Sequence, residues 1–203
     1  MFDGRLRRLI DPCCDAVARV LTRVGLTANA VTVIGFLIGV GAWIALAFVQ
    51  DGLALTLIVL NRVLDGLDGA IARRRGPTDL GGYLDIVLDF LFYAGVPFFF
   101  AVGRPDNALA ACFLVFAFVG TGSSFLAFAA IAARRGLTTE ARGRKTIYYL
   151  GGLTEGAETI AFFVLMCLLP HNFALMAWTF GALCWLTTAC RITMAYTAFK
   201  EKR

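Results

Sequence analysis

The sequence predicts an all-α integral membrane protein with six transmembrane helices and an N-terminal amphipathic helix lying in the membrane interface. Three observations carry this expectation. Six apolar stretches are each long enough for the about 20 helical residues that cross a bilayer. Charged residues make up 16% of the chain against 59% hydrophobic, with mean hydropathy +0.76, whereas a soluble domain carries about 25% charged residues. The cations gather in short connections at alternate ends of the apolar stretches, as membrane topology requires.

The interfacial helix falls within residues 1–25. Asp11-Pro12 reads as an N-cap followed by proline in the first turn. Cys13, Val17, Val20, Leu21 and Val24 recur at helical spacing, with Asp15, Arg19 and Arg23 elsewhere on the wheel, and Gly25 reads as the stop. The opening residues MFDGRLRRLIDP have no long apolar stretch directly behind them and do not read as a cleavable signal peptide. The spans then occupy residues 29–199: Asn29–Val49, Gly52–Ala72, Gly81–Val102, Asn107–Ala133, Thr146–Leu169 and Phe173–Phe199. No linker, repeat or low-complexity segment divides them, so 1–203 reads as one domain.

Orientation follows from Lys and Arg. Arg5, Arg7, Arg8, Arg19 and Arg23, then Arg73–Arg75, then Arg134, Arg135, Arg142, Arg144 and Lys145, and finally Lys200, Lys202 and Arg203 share one side of a six-span chain. The opposite connections offer only Arg104. Both termini are therefore expected in the cytoplasm. This distribution also accounts for the net charge of +5 without a nucleic-acid partner. Six cysteines form no CxxC pair, and four lie inside apolar runs, where Cys acts as a small hydrophobe. His171, the only histidine, is read as solvated surface. The run Gly120-Thr121-Gly122-Ser123-Ser124 is read as a helix-packing notch.

Ionisable residues inside spans are costly, so each needs a reason. Asp65 and Asp68 are three apart on the second span, and Asp85 and Asp89 are four apart on the third, so each pair shares a helix face. At 1.5 Å per residue, Asp68 lies about 8 Å before the Arg73 cluster, and the third span enters from the same loop. Four carboxylates thus converge just inside the cytoplasmic surface. They cannot all ionise there without a countercharge. An all-oxygen donor set without His or Cys suits a hard divalent ion such as Mg²⁺ or Mn²⁺. Four carboxylates can hold two such ions, an arrangement suited to phosphoryl chemistry. Gly66, Gly69, Gly81 and Gly82 flank the pairs, and glycine costs about 1 kcal/mol in a helix interior. Close approach of a helix or a ligand is the reason read here.

Taken together, Asp65-Gly66-Leu67-Asp68-Gly69-Ala70-Ile71-Ala72-Arg73, then Gly81, Asp85 and Asp89, resembles the signature of the CDP-alcohol phosphotransferase family, DxxDGxxAR followed by GxxxDxxxD. Every fixed position is present. Gly25-Leu26-Thr27-Ala28-Asn29 is similar to the family's entry into the first span, with Ala where proline is common. The resemblance covers nearly the whole chain, and within the family it points to bacterial inner-membrane members.

The resemblance implies that Asp65, Asp68 and Asp85 are metal ligands, and that Asp89 binds metal and acts as general base on the attacking hydroxyl. Gly69, Ala72 and Arg73 would receive the CDP part of the donor, Thr78 would touch the nucleotide, and Asn29 would lie near its phosphates. The implied reaction is metal-dependent transfer of a phosphoalcohol group to an acceptor hydroxyl with release of CMP, in phospholipid biosynthesis. The main reading takes CDP-diacylglycerol as donor. The alternative takes a CDP-amino-alcohol or another soluble CDP-polyol. Homodimers are usual in the family, so one is implied here. Two rivals from other classes fare worse: a transporter would place its carboxylates near the midplane at broken helices, and a non-catalytic scaffold leaves four buried aspartates without a role.

Four further intramembrane charges, Arg62, Glu155, Glu158 and Arg191, come to similar depth on a residue count. The favoured reading is a buried ion-pair network tying the fifth span to the second and sixth. The other reading is that Glu155 or Glu158 faces the acceptor pocket.

Overall fold

The computed structural model describes residues 3–136 and 154–200, and every regular element among them is helical. The long helices are α1 (Asp3–Arg23), α2 (Ala28–Ala47), α3 (Asp51–Arg75), α4 (Asp79–Gly103), α5 (Ala108–Arg134), α6 (Gly156–Leu168) and α7 (Phe173–Phe199). Single 3-10 turns at Pro105–Asn107 and Pro170–Asn172 lead into α5 and α7. Four helices, α2, α4, α5 and α7, are long and apolar enough to cross a membrane. α3 has 25 residues and so a length of about 37 Å, but Arg62, Asp65, Asp68 and Arg73–Arg75 interrupt its apolar character. The described part of α6 has 13 residues. The expected start of that span at Thr146, with Arg142, Arg144 and Lys145 before it, lies outside the described residues.

The N-terminal helix differs from the sequence expectation at its start. It begins at Asp3, not at Pro12, which sits inside α1. Proline there removes one intrahelical donor, and the Arg- and Leu-rich residues ahead of it are good helix formers, so the helix continues through. Its end is as expected. Gly25 has φ +88°; its N–H donates to Thr22 O, and Leu26 N–H donates to Leu21 O. This paired pattern closes a helix and needs a left-handed residue. Cys14 and Ala18 are buried against Val31 of α2 and Leu67, Ala70 and Ile71 of α3, and Arg75 Nη2 donates to Thr22 O at 2.8 Å. Val17 and Val20 remain exposed on the same helix, as does Val24 just past its end.

α2 packs on α3 and α4, and α5 packs on α4 and α7. The core joins Leu46 of α2, Ile58 of α3, Phe92, Val96 and Phe100 of α4, Leu114 of α5, Phe163 and Met166 of α6, and Phe173 of α7, all without solvent exposure. Phe100 stacks on Phe173 with ring centroids 4.1 Å apart. Lipid is as apolar as such a core, so close packing rather than exclusion from water drives helix association. Small residues therefore matter. A Cβ on Gly122 would meet Phe90 Cε1 at 2.5 Å, and one on Gly120 would meet Thr188 Oγ1 at 3.2 Å, which gives the notch in α5 a packing role. At the end of α4 away from the aspartates, a Cβ on Gly103 would lie 2.5 Å from Leu46 O and 2.8 Å from Ala47 O. Backbone cannot move aside as a side chain can. Gly103→Ala is expected to destabilise the protein by about 1–3 kcal/mol, measured as a lower Tm in detergent; an unchanged Tm would contradict this packing. Beside it, Arg104 Nη2 pairs with Asp51 Oδ2 at 2.6 Å and ties the end of α4 to the start of α3.

Of the four cysteines in apolar runs, Cys167 and Cys184 are buried while Cys112 and Cys190 are exposed. Cys14 is also buried, and His171 is exposed in the turn before α7.

Candidate active site

α3 and α4 each present acidic residues at helical spacing, and the two helices, with α2 against both, bring them to one cleft. The carboxylate oxygens of Asp65, Asp68 and Asp85 all lie within 4.8 Å of one another. Asp89 lines the same cleft, as do Thr32 of α2 and Asn61 and Arg62 of α3. Asp68 is buried, Asp65 and Asp89 are half-buried, and Asp85 is exposed. The sequence expectation of four convergent carboxylates is thus met at the level of the cleft. Three form a tight set, and the fourth is engaged elsewhere.

That engagement is with Arg62. Its Nη1 donates to Asp89 Oδ1 at 2.7 Å and to the Tyr93 hydroxyl at 3.1 Å, and lies 3.7 Å from Asp65 Oδ2. Its Nε donates to Asn61 Oδ1 at 2.7 Å. Asn61 is itself fixed, because its Nδ2 donates to Gly35 O of α2 at 2.7 Å. The guanidinium lies over the Phe92 ring, 4.5 Å from its centroid. This corrects the expected network in which Arg62 would pair with Glu155 or Glu158. Arg62 and Asp65 are three apart on one helix face, and Asp89 faces them from α4, so the aspartates take the guanidinium. The depth count that suggested the network assumed continuous helix from Lys145, whereas Glu155 stands at the N-cap of α6 and its N–H donates to Glu158 Oε2 at 3.1 Å. Glu155 lies within electrostatic reach of Arg191, whose Nη1 donates to Thr121 O at 2.9 Å, so that part of the expectation keeps its neighbours.

Asp65, Asp68 and Asp85 lie close enough together for like charges to repel, and a cation among them would offset that repulsion. Asp68 Oδ2 is buried and accepts no hydrogen bond, a costly arrangement unless the oxygen has another partner. The donors are all oxygen, as a hard divalent cation prefers. The residues present therefore fit such an ion.

Of the expected nucleotide-binding residues, Gly69, Ala72 and Arg73 follow Asp68 along α3, and Asn29 and Thr78 meet Gly81 at the start of α4. A Cβ on Gly69 would meet only the end of the Arg73 side chain, at 3.5 Å, so chain packing does not demand glycine there. One turn from Asp65 and next to Asp68, the bare side of Gly69 leaves room for a ligand. Ala72 is half-buried and Arg73 exposed at the same helix end. At the start of α4, a Cβ on Gly81 would lie 2.9 Å from Asn29 Oδ1 and 3.0 Å from Thr78 Oγ1, so Asn29, Thr78 and Gly81 are in close contact. Thr78 is the N-cap of α4, its Oγ1 accepting from Gly81 N–H at 3.1 Å. A capping role thus explains Thr78 without a ligand. Of the other flanking glycines, Gly66 has only Cys14 Sγ near its missing Cβ, at 3.6 Å, and Gly82 has nothing within 4 Å.

Sequence reasoning missed Thr32, Asn61 and Tyr93. Asn61 had a readable signal: it is a buried polar residue four before Asp65, on the same helix face. Thr32 had none, since threonine is unremarkable in an apolar helix.

The family described as CDP-alcohol phosphatidyltransferase matches residues 25–193, a stretch that holds every residue of this cleft. The chain belongs to the CDP-alcohol phosphatidyltransferase family. It is accordingly a phosphotransferase. The inner membrane protein YnjF of Escherichia coli is 54% identical over 205 residues, spanning 99% of this chain and 98% of that one. An archaetidylinositol phosphate synthase of Pyrococcus horikoshii is 33% identical over 101 residues, covering 49% of this chain and 54% of its own. The fold is that of the phosphatidylinositol phosphate synthase of Mycobacterium tuberculosis. The structure with CDP-DAG bound matches at TM-score 0.66 and 24% identity, over 94% of this chain and 98% of that one. The complex with manganese and citrate matches at TM-score 0.70 and 22% identity, over 94% and 93%.

Proposed function

We propose that this enzyme transfers a phosphatidyl group from CDP-diacylglycerol to the hydroxyl of a small polar alcohol or alcohol phosphate, releasing CMP, with divalent metal held by Asp65, Asp68 and Asp85. The observation that carries the reading is the buried, unpartnered Asp68 Oδ2 within a three-carboxylate set, next to a glycine whose open side packing does not require. The ligands bound in the fold relatives, CDP-DAG in one and manganese with citrate in another, support it.

The chain's own residues divide the work. Gly69 and Ala72 leave room for the cytidylate, and the exposed Arg73 guanidinium meets its phosphates. Asn29, beside Gly81, lies at the edge of the same space. When bound, a divalent cation neutralises the pyrophosphate and stabilises the charge on the leaving phosphate. Asp89, with Oδ1 held by Arg62, takes the acceptor's proton on Oδ2 as the acceptor oxygen bonds to phosphorus. The phosphorus–oxygen bond to CMP breaks in the same displacement, and CMP leaves with that electron pair. A donor with a soluble head and acyl tails needs a site just below the cytoplasmic surface, open to lipid. The position of the set near the Arg73–Arg75 end of α3 serves both.

The same reading takes α3 and the segment ending in α6 as the remaining two of six spans, with α1 in the interface on its exposed valines. It places the protein in the inner membrane, as the name of its 54% identical relative suggests, and as a homodimer by family resemblance. Reporters fused after Arg203 and near Gly136 are expected to read cytoplasmic, and one near Asp106 external; an external C-terminus would break the six-span count. The function itself is tested by incubating purified protein with CDP-diacylglycerol, Mg²⁺ or Mn²⁺ and a panel of alcohols and alcohol phosphates, reading CMP. CMP release from CDP-ethanolamine or a CDP-polyol, and not from CDP-diacylglycerol, would move the donor to the soluble class.

A further inference from the structure

We infer that Arg62 is a positioning residue that holds Asp89 apart from the Asp65–Asp68–Asp85 set, so that the site loads one divalent ion readily and a second only against the guanidinium. The inference rests on the metal reading above and goes beyond it. Arg62 is fixed from four directions: Asp89 Oδ1 at 2.7 Å, the Tyr93 hydroxyl at 3.1 Å, Asn61 Oδ1 at 2.7 Å, and the Phe92 ring beneath it. Asn61 is tied in turn to the backbone of α2. A guanidinium fixed in this way cannot swing away as a surface arginine would. Its Nη1 also lies 3.7 Å from Asp65 Oδ2, so it bridges Asp89 and the nearest member of the three-carboxylate set.

Two consequences follow from charge alone. The Asp65–Asp68–Asp85 set needs nothing from Asp89 to bind a first ion. A second ion that recruits Asp89 must displace a positive charge already in hydrogen-bonding contact with it, and like charges at this range repel strongly in a partly buried site. Arg62 thus also fixes which Asp89 oxygen is left to receive the acceptor's proton.

The test is Mn²⁺ binding to purified protein without substrate, followed by the loss of the free-ion electron paramagnetic resonance signal. Wild type, Asp68→Asn, Asp89→Asn, Arg62→Lys and Arg62→Met are compared. Wild type is expected to bind one tight ion and a second more weakly by about tenfold or more. Asp68→Asn should lose the tight ion, and Asp89→Asn should keep it within about tenfold. Arg62→Met should tighten the second ion by about tenfold or more, while Arg62→Lys, which keeps the charge, should not. An Asp89→Asn protein that loses the tight ion as Asp68→Asn does would overturn the inference, and this arm decides the matter even if Arg62→Met does not fold. An Arg62→Met isotherm that superimposes on wild type would overturn it as well, with the metal reading left standing. A wild type that binds no Mn²⁺ would remove the metal reading and this inference with it.

Discussion

Asp68→Asn is expected to lose divalent-ion binding and to reduce CMP release by about a hundred- to thousandfold or more, because metal stabilisation of a phosphoryl transfer is worth several kcal/mol. The fold should survive. Asp68 is buried with an unpartnered Oδ2, beside two further carboxylates within 4.8 Å. Replacing it with a neutral amide relieves repulsion rather than breaking a pair. In the presence of EDTA the variant should therefore melt at or above the wild-type Tm. With Mn²⁺ added, the wild type alone should gain stability, since an ion that binds only the folded state stabilises it. A variant that keeps metal-dependent turnover, or that melts well below wild type in EDTA, would contradict the site described here.

Asp89→Asn is expected to behave in the opposite way on stability and the same way on chemistry. An amide cannot take the acceptor's proton, and a positioned base contributes about 10²- to 10⁴-fold. The substitution also takes from the Arg62 guanidinium its nearer anionic partner in a half-buried site, leaving only Asp65 at 3.7 Å. A loss of about 1–3 kcal/mol follows, less than for a fully buried pair because the Asp89 side chain is 29% exposed. Adding Arg62→Met removes the orphaned charge and should restore much of the Tm while activity stays lost. A single variant with near wild-type turnover would remove Asp89 as the base. A double variant no more stable than the single would show that the pair does not carry the stability assigned to it.

How much of this was legible in the sequence depended on how local each relation is. The Asp65–Asp68 and Asp85–Asp89 spacings are set by helix geometry, so their faces could be read directly, and a short loop between antiparallel helices brought them together. The Gly25 stop was legible because a left-handed residue ending a helix has a narrow chemical identity. The partner of Arg62 was not legible from depth. A long, flexible side chain can reach either way along a span, and the count from Lys145 did not foresee that Glu155 stands at a helix N-cap. An acid three residues on, Asp65, was the better local clue. Pro12 misled because proline favours a first turn, whereas here it lies inside α1. The packing of Gly103 on the α2 backbone depends on the path of the whole bundle and leaves no mark in the local sequence.

The central claim is that the aspartate set of α3 and α4 holds a divalent cation used to release CMP from a CDP-linked lipid. The measurement that tests it most directly is CMP formation by purified wild-type protein from CDP-diacylglycerol and a responsive acceptor, after exhaustive chelation and again after Mg²⁺ or Mn²⁺ is restored. The account predicts no CMP above background in EDTA, recovery on adding either ion, and no recovery in Asp68→Asn. Full turnover in excess EDTA would contradict it.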